Sequence, residues 1–461
     1  MRLAVLLLLL LALGASTRAD DLGPFADANI VFVSFDALQA RHVGCLGYDR
    51  NVTPTIDAFA QKSYRFTNAI SVASWTVPAS MTWFTGVYPS EHKMVNKYAL
   101  YQPPLKKMAN LKELAPQLVT LAEILRRQGY ATAGFTGNAG VSGGFGYEQG
   151  FDVYYHEKNK FGGFDYSIPK ALEWLRENRG KKFFLFLHGY DVHGQNTPAE
   201  GFDYRYVDKD YDKRYTGSEQ EQELLRELGL ERGKLALREA DVRFWRAIYD
   251  EKISRADARF RDFLREYDKL GLTERTIFIL TADHGTEQYE HRRLDHGFTL
   301  YNETLHVPLF IRLPNQAQGW DRKDRVSSIQ LMPTVLELAG VKVPLEVKEQ
   351  MRGTSLLPAM RGEQVEPRDI FSETDYRAYT YKRSILAADG WKLILTLETK
   401  RRELYHLPSD PGESRDLAEK EKSRADQLEQ KIFAHFRSIG QDLAARRWEV
   451  GLNPVYASQG K

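Results

Sequence analysis

The chain has 461 residues, of which 43% are hydrophobic, 12% aromatic and 27% charged, a globular balance that excludes a disordered, collagenous or low-complexity protein. Its 64 Lys+Arg nearly cancel 62 Asp+Glu, and the formal charge of +2 leaves no global field of the kind that marks a nucleic-acid binder. Cys45 is the one cysteine, so an intrachain disulfide and a zinc site built from several thiolates are both excluded.

The N-terminus reads as a secretory signal over residues 1–19: Met1-Arg2, an apolar run from Leu3 to Leu13, then Thr17-Arg18-Ala19 with small residues at a cleavage position. The run is shorter than the ~20 apolar residues a membrane-spanning helix needs, and Asp20 and Asp21 follow it directly. An exported protein, periplasmic or secreted and without a stable membrane span, is the expectation.

Residues 29–35 (Asn-Ile-Val-Phe-Val-Ser-Phe) form a β-rich apolar run ending at Asp36, the pattern of a strand buried on both faces. Residues 131–135, 182–187, 276–280 and 307–311 have the same character, and helical stretches such as 119–128 and 249–270 separate several of them. The alternation predicts a doubly wound α/β domain over residues 20–366. Residues 202–246 are dense in charge and read as a surface insertion, with a lid over the active site as the sharper alternative. From about Pro367 the pattern shifts to short extended pieces, 384–387 and 391–396, joined at the hairpin signal Asp389-Gly390. An amphipathic stretch over 415–439 follows, so residues 367–461 are expected to form a smaller antiparallel β-plus-helix subdomain.

Chemistry-bearing residues gather just past the apolar runs, at Asp36, His188 and Asp283, where open parallel sheets place their ligand sites. Adjacent oxygen and imidazole ligands at Asp283-His284 suit zinc or manganese, although an isolated Asp-His pair is more often a helix cap beside a satisfied histidine.

The segment Ser74-Trp75-Thr76-Val77-Pro78-Ala79-Ser80, continuing to Thr85-Gly86 and Tyr88-Pro89, closely resembles the nucleophile motif of the sulfatase family in the alkaline phosphatase superfamily. Further signatures follow in family order: Asp36 with Gly44-Cys45-Leu46-Gly47-Tyr48, His188 with Asp191-Val192-His193, Asp283-His284-Gly285, His296-Gly297, and Glu403-Leu404-Tyr405-His406. The resemblance implies an alkaline-phosphatase/sulfatase-like doubly wound mixed sheet flanked by helices, and it puts Thr76 at the nucleophile position. Two departures stand out. Thr76 and Ser80 occupy positions where a typical sulfatase has Cys or Ser and then Arg, so no formylglycine is expected, and Ala37 stands where a second carboxylate is familiar. What remains, Asp36, Thr76, Asp283 and His284, resembles the single-metal set of the phosphoethanolamine transferases and lipoteichoic acid synthases, which use a threonine nucleophile.

The resemblance thus implies a hydrolase of sulfate or phosphate esters that needs one divalent ion (Zn, Mn or Ca) and takes a sulfated or phosphorylated small molecule, glycan or lipid head group. Thr76 would attack as an alkoxide formed beside the ion. His193 and His296 are candidates to bind oxygens or protonate the leaving alcohol, with His188 and His291 as weaker substrate-binding candidates. Trp75, Trp83 and Tyr98 could stack on a sugar or fill the core. Alternatives are a secreted transferase of phosphoryl head groups and an inactive, glycan-binding relative.

Overall fold

The structure is a computed structural model that describes residues 22–94, 114–138, 140–157, 161–198, 200–376 and 380–444; the leader 1–19 and Tyr98 lie outside these. Among the described residues no helix is long and apolar enough to cross a membrane.

The strands are β1 Asn29–Phe35, β2 Tyr64–Ile70, β3 Ala131–Thr136, β4 Val153–His156, β5 Phe183–Gly189, β6 Thr276–Ala282, β7 Glu287–Gln288, β8 Leu294–Asp295, β9 His306–Arg312, β10 Trp320–Ser327, β11 Ile370–Tyr376, β12 Thr380–Leu386, β13 Trp391–Thr396 and β14 Arg401–His406. Eight of them form one mixed sheet in the order β10-β2-β9-β6-β1-β5-β3-β4. β1 lies at its centre, parallel to both β5 and β6, and all seven of its residues are buried. Burial on both faces is why its sequence runs apolar without alternation, each large side chain contributing about 1.5–3 kcal/mol. Register then sets the site. Phe35 pairs with Ala282 and Ser34 with His188, so the next residues, Asp36 and Asp283, leave the carboxyl edge side by side with His188 across from them.

Helices cover both faces. The longest, Glu239–Lys269, buries Phe244, Ile248, Ile253, Ala256, Phe260, Phe263 and Tyr267, a stripe at helical spacing. It begins ten residues before the helical pattern evident in the sequence at Tyr249, and its first turns belong to the charged segment.

That charged segment has an apolar underside. Leu225 from the helix Glu219–Arg232 joins Leu235, Phe244, Trp245, Ile248 and Leu294, which seats the insertion on the β7–β8 hairpin. A charged knot holds its far side. Buried Asp241 accepts from Arg238 Nη2 at 2.7 Å, Arg214 Nη1 at 3.0 Å and Tyr211 Oη at 3.1 Å. Hydrogen bonding by Arg238 is the largest cause that pulls its carboxyl down, to about 2. Asp241→Asn should therefore cost about 1–3 kcal/mol, toward the lower end because both arginines are half-exposed and screened. A folded pKa below the unfolded ~3.9 gives stability that is present in full above pH ~4 and fades as pH falls toward about 2. Urea midpoints of parent and variant should converge between pH 5 and pH 3; a constant gap would refute the assignment.

The four strands β11-β12-β13-β14 form a separate antiparallel sheet. Its hairpin turns at Gly390, whose φ of 90° a side chain would resist. One face takes Ala425, Leu428, Ile432 and Phe436 of the helix Lys422–Ser438 against Ile385, Leu393, Leu395 and Leu404. The other presses Ile370, Leu386, Ile394 and Tyr405 onto Ile70, Leu300 and Leu305 of the larger unit.

Candidate active site

Asp36 follows β1 and is fully buried. The chain turns sharply after it, with Ala37 at φ 56°, and Tyr249 clamps the turn by donating to the Ala37 carbonyl at 2.7 Å and accepting from Gln39 N at 2.9 Å. The Ala37 N–H donates to Asp283 Oδ1 at 3.1 Å. The position where a second carboxylate is familiar thus contributes its backbone to the neighbouring one.

Asp283 and His284 follow β6. Gly285 lets them approach the 302–305 helix, since a Cβ there would lie 2.1 Å from the Glu303 carbonyl oxygen. Asp283 Oδ1 also accepts from His284 N at 2.9 Å, and His284 Nδ1 donates to the Gly285 carbonyl at 2.7 Å. Because a carbonyl only accepts, the neutral His284 ring keeps its lone pair on Nε2. That atom lies 3.4 Å from both Asp36 Oδ1 and Asp283 Oδ2.

Thr76 is the first residue of the wholly buried helix Thr76–Thr85. Its Oγ1 donates to Asp36 Oδ1 at 3.4 Å and meets His284 Nε2 at 3.3 Å. Helix N-termini favour anions, so a tetrahedral oxyanion at Thr76 sits where the helix dipole is favourable. Ser80 donates to the Thr76 carbonyl at 2.5 Å and its Oγ lies 3.3 Å from Tyr147 Oη, filling with hydroxyls the position where the family motif carries arginine.

Asp36, His188 and Asp283 offer ligand atoms all within 4.8 Å of one another. Asp36 Oδ2, Asp283 Oδ2 and both ring nitrogens of His188 are buried and have no hydrogen-bond partner. Burial and the neighbouring Asp283 push the Asp36 carboxyl up to about 8, and burial pushes the His188 imidazole down to about 4, the neutral form a metal requires. Two buried carboxylates, two imidazoles and orphaned lone pairs fit a divalent ion.

His296 and His193 complete one wall. The His296 ring centroid is 4.3 Å from that of His284 and 5.0 Å from that of His193. Asp295, at φ 86°, holds His296 Nδ1 at 2.6 Å and is itself approached by Arg226 of the insertion at 3.8 Å. His193 Nδ1 accepts from Gln195 N at 3.3 Å, so a neutral His193 carries its proton on Nε2. Burial pulls both imidazoles below their usual range. Lys252, which burial pushes down to about 7, ties the His193 loop by donating to the carbonyls of His193 and Gly194, each at 2.9 Å, and to Gln222 Oε1 at 2.8 Å.

The structure thus brings together Asp36, Thr76, Asp283, His284, His188, His193 and His296. His291 stands apart, with Glu287 and Glu303. Sequence reasoning missed Asp295 and Lys252. The dipeptide Asp295-His296 repeats the Asp283-His284 pairing and was a usable signal, whereas Lys252 lies mid-helix and carried none. Of the aromatics, Trp75 is buried edge-on to Tyr376 with ring centroids 5.6 Å apart, and Trp83 is buried 5.1 Å from Phe32 in the core.

Comparisons with known proteins bear on the family and the fold. Bovine (Bos taurus) arylsulfatase K is 30% identical over 207 residues, 42% of this chain and 37% of that protein. The Delta 4,5-hexuronate-2-O-sulfatase of Bacteroides thetaiotaomicron is 30% identical over 178 residues, 37% of this chain and 35% of that protein. The matched stretches thus span only about a third of these relatives' length. The phosphonate monoester hydrolase of Agrobacterium radiobacter superposes with a TM-score of 0.67 at 18% identity, covering 90% of this chain and 95% of that one. This supports the mixed α/β fold with its C-terminal antiparallel sheet. Residues 289–439 match a family model described as N-sulphoglucosamine sulphohydrolase, C-terminal, and residues 28–341 match the one described as Sulfatase; the chain belongs to the sulfatase family.

Proposed function

We propose that this protein hydrolyses sulfate or phosphate esters through a covalent intermediate on Thr76. The observation that carries the reading is the Thr76 hydroxyl, at a helix N-terminus and 3.3–3.4 Å from His284 Nε2 and Asp36 Oδ1. A divalent ion held by Asp36, Asp283 and the histidines beside them would supply Lewis-acid stabilisation of a non-bridging oxygen and favour the deprotonated hydroxyl.

The residues divide the remaining work. Thr76 Oγ1 directs its proton at Asp36 Oδ1 and attacks sulfur or phosphorus in line as the bond to the alcohol oxygen breaks. His193, with N–H on Nε2, is suited to donate to the departing oxygen. His296, its Nδ1 2.6 Å from Asp295 Oδ1, is suited to deprotonate the water that then splits the Oγ1 ester and frees the inorganic anion. Threonine cannot become formylglycine, so release cannot proceed by collapse to an aldehyde and must be hydrolytic, which favours phosphorus esters over sulfate.

The named relatives include both a hexuronate-2-O-sulfatase and a phosphonate monoester hydrolase, which supports an anionic ester on a glycan or small molecule as substrate. The leader pattern supports action outside the cytoplasm. A panel of nitrophenyl sulfate, phosphate, phosphodiester and phosphonate, assayed with Zn, Mn and Ca in turn, tests the reading. Turnover of a phosphorus ester above sulfate is the expected result; sulfate turnover alone would overturn the preference, and silence across the panel with metal bound would overturn the hydrolase.

A further inference from the structure

Glu287 on β7, His291 in the turn of the β7–β8 hairpin and Glu303 in the helix Asn302–Leu305 offer three ligand atoms within 4.8 Å of one another. Both glutamates are buried. Each has one engaged and one open oxygen: Glu287 Oε2 accepts from Thr299 Oγ1 at 3.1 Å and Glu303 Oε1 faces His291 Nδ1, while Glu287 Oε1 and Glu303 Oε2 have no hydrogen-bond partner.

The imidazole is set from outside the cluster. His291 Nε2 lies 3.0 Å from the Glu413 carbonyl oxygen, which only accepts, so Nε2 carries a proton, and a metal would take the place of the second proton that Nδ1 otherwise shares with Glu303 Oε1. That carbonyl is itself fixed, since the Glu413 side chain takes Lys392 Nζ at 2.7 Å and Asn302 N at 2.6 Å. The ring stacks on Tyr301 with centroids 3.7 Å apart. A ring locked in tautomer and plane, two open buried carboxylate oxygens and a backbone carbonyl behind the imidazole make up a metal ligand set with its outer support.

We propose that Glu287, His291 and Glu303 bind a second divalent cation of the zinc or manganese type, distinct from any ion at Asp36 and Asp283. It would clamp the segment 287–303, which carries Asp295 and His296, against the C-terminal subdomain through Glu413. The proposal does not depend on Thr76 chemistry. The alternative is an ion-pair network, in which Arg293, which lowers the Glu287 carboxyl electrostatically, and a protonated His291 balance the carboxylates without a metal.

The test uses the full chain carrying Asp36→Asn and Asp283→Asn, which weakens the first site and leaves the cluster untouched. Dialysed against micromolar zinc, this protein should retain one equivalent per chain, and cobalt in its place should give a visible spectrum of mixed oxygen and nitrogen ligation. Adding Glu287→Gln and Glu303→Gln should remove that equivalent, and zinc should raise the melting temperature only when the two glutamates are present. Retention of no metal by the Asp36→Asn, Asp283→Asn protein would overturn the proposal in favour of the ion-pair network. So would an undiminished equivalent after the glutamine substitutions. Should the fourfold variant fail to fold, the same comparison holds for Glu287→Gln in the otherwise unaltered chain, whose zinc content should fall by one.

Discussion

Thr76→Ala should lower kcat by about ten-thousandfold, since removing a catalytic nucleophile leaves only binding and electrostatic stabilisation. The fold should survive the change. Thr76 is the first residue of its helix, its backbone carbonyl still accepts from Ser80 Oγ, and alanine is a good helix former, so the loss of one buried methyl and hydroxyl should cost about 1–2 kcal/mol. Thr76→Ser keeps the oxygen and should retain activity within about a hundredfold, with the missing methyl loosening the hydroxyl's aim toward Asp36 Oδ1 and His284 Nε2. The three proteins, compared by steady-state turnover and by mass spectrometry of acid-quenched enzyme, should separate cleanly: an adduct on Thr76 in the parent and none in Thr76→Ala. An alanine variant with more than a tenth of parental turnover would remove Thr76 from the mechanism.

The strands that built this site were legible for a physical reason. β1, β5 and β6 are buried on both faces, so their sequences run apolar without interruption and end at the polar residues that do chemistry. β10, Trp320–Ser327, was illegible because it is an edge strand paired only with β2, and its Asp-Arg-Lys-Asp-Arg run carries no apolar side chain to mark a strand. Thr76 was reached by counting through a motif, since a helix buried at all ten positions has no amphipathic stripe to read. The grouping of the histidines depended on what no pattern encodes. His188 joins Asp36 and Asp283 because Ser34 pairs with it across β5. His291 and His296, five residues apart, diverge because positive φ at Arg292 and Asp295 reverses the chain between them. The charged insertion read as solvated because Leu225, Leu235 and the pair Phe244-Trp245 come from stretches separated by charged residues and do not announce a shared core.

Asp283→Asn should blunt the response of stability to metal. Asn Oδ1 can still accept from Ala37 N and His284 N, at 3.1 and 2.9 Å in the parent, so the turn after β6 should persist. What disappears is a buried charge beside Asp36, whose carboxyl is pushed up to about 8 by its burial and by Asp283. His284, His188 and the two backbone N–H groups hold the Asp283 carboxyl below its usual range, so its charge is stabilised in the fold and the variant should melt lower than the parent in a chelator. With a divalent ion at a hundred times its dissociation constant, the parent should gain about 2.7 kcal/mol, and the variant, its affinity reduced about a hundredfold or more, should gain under 1 kcal/mol. Any ion held at Glu287, His291 and Glu303 stabilises both proteins alike and cancels in the difference. Turnover should fall with the lost affinity and recover in part as the ion is raised. Melting curves of both proteins across a metal titration would decide the matter: a larger gain in the parent places the ion at Asp283, and equal gains remove it.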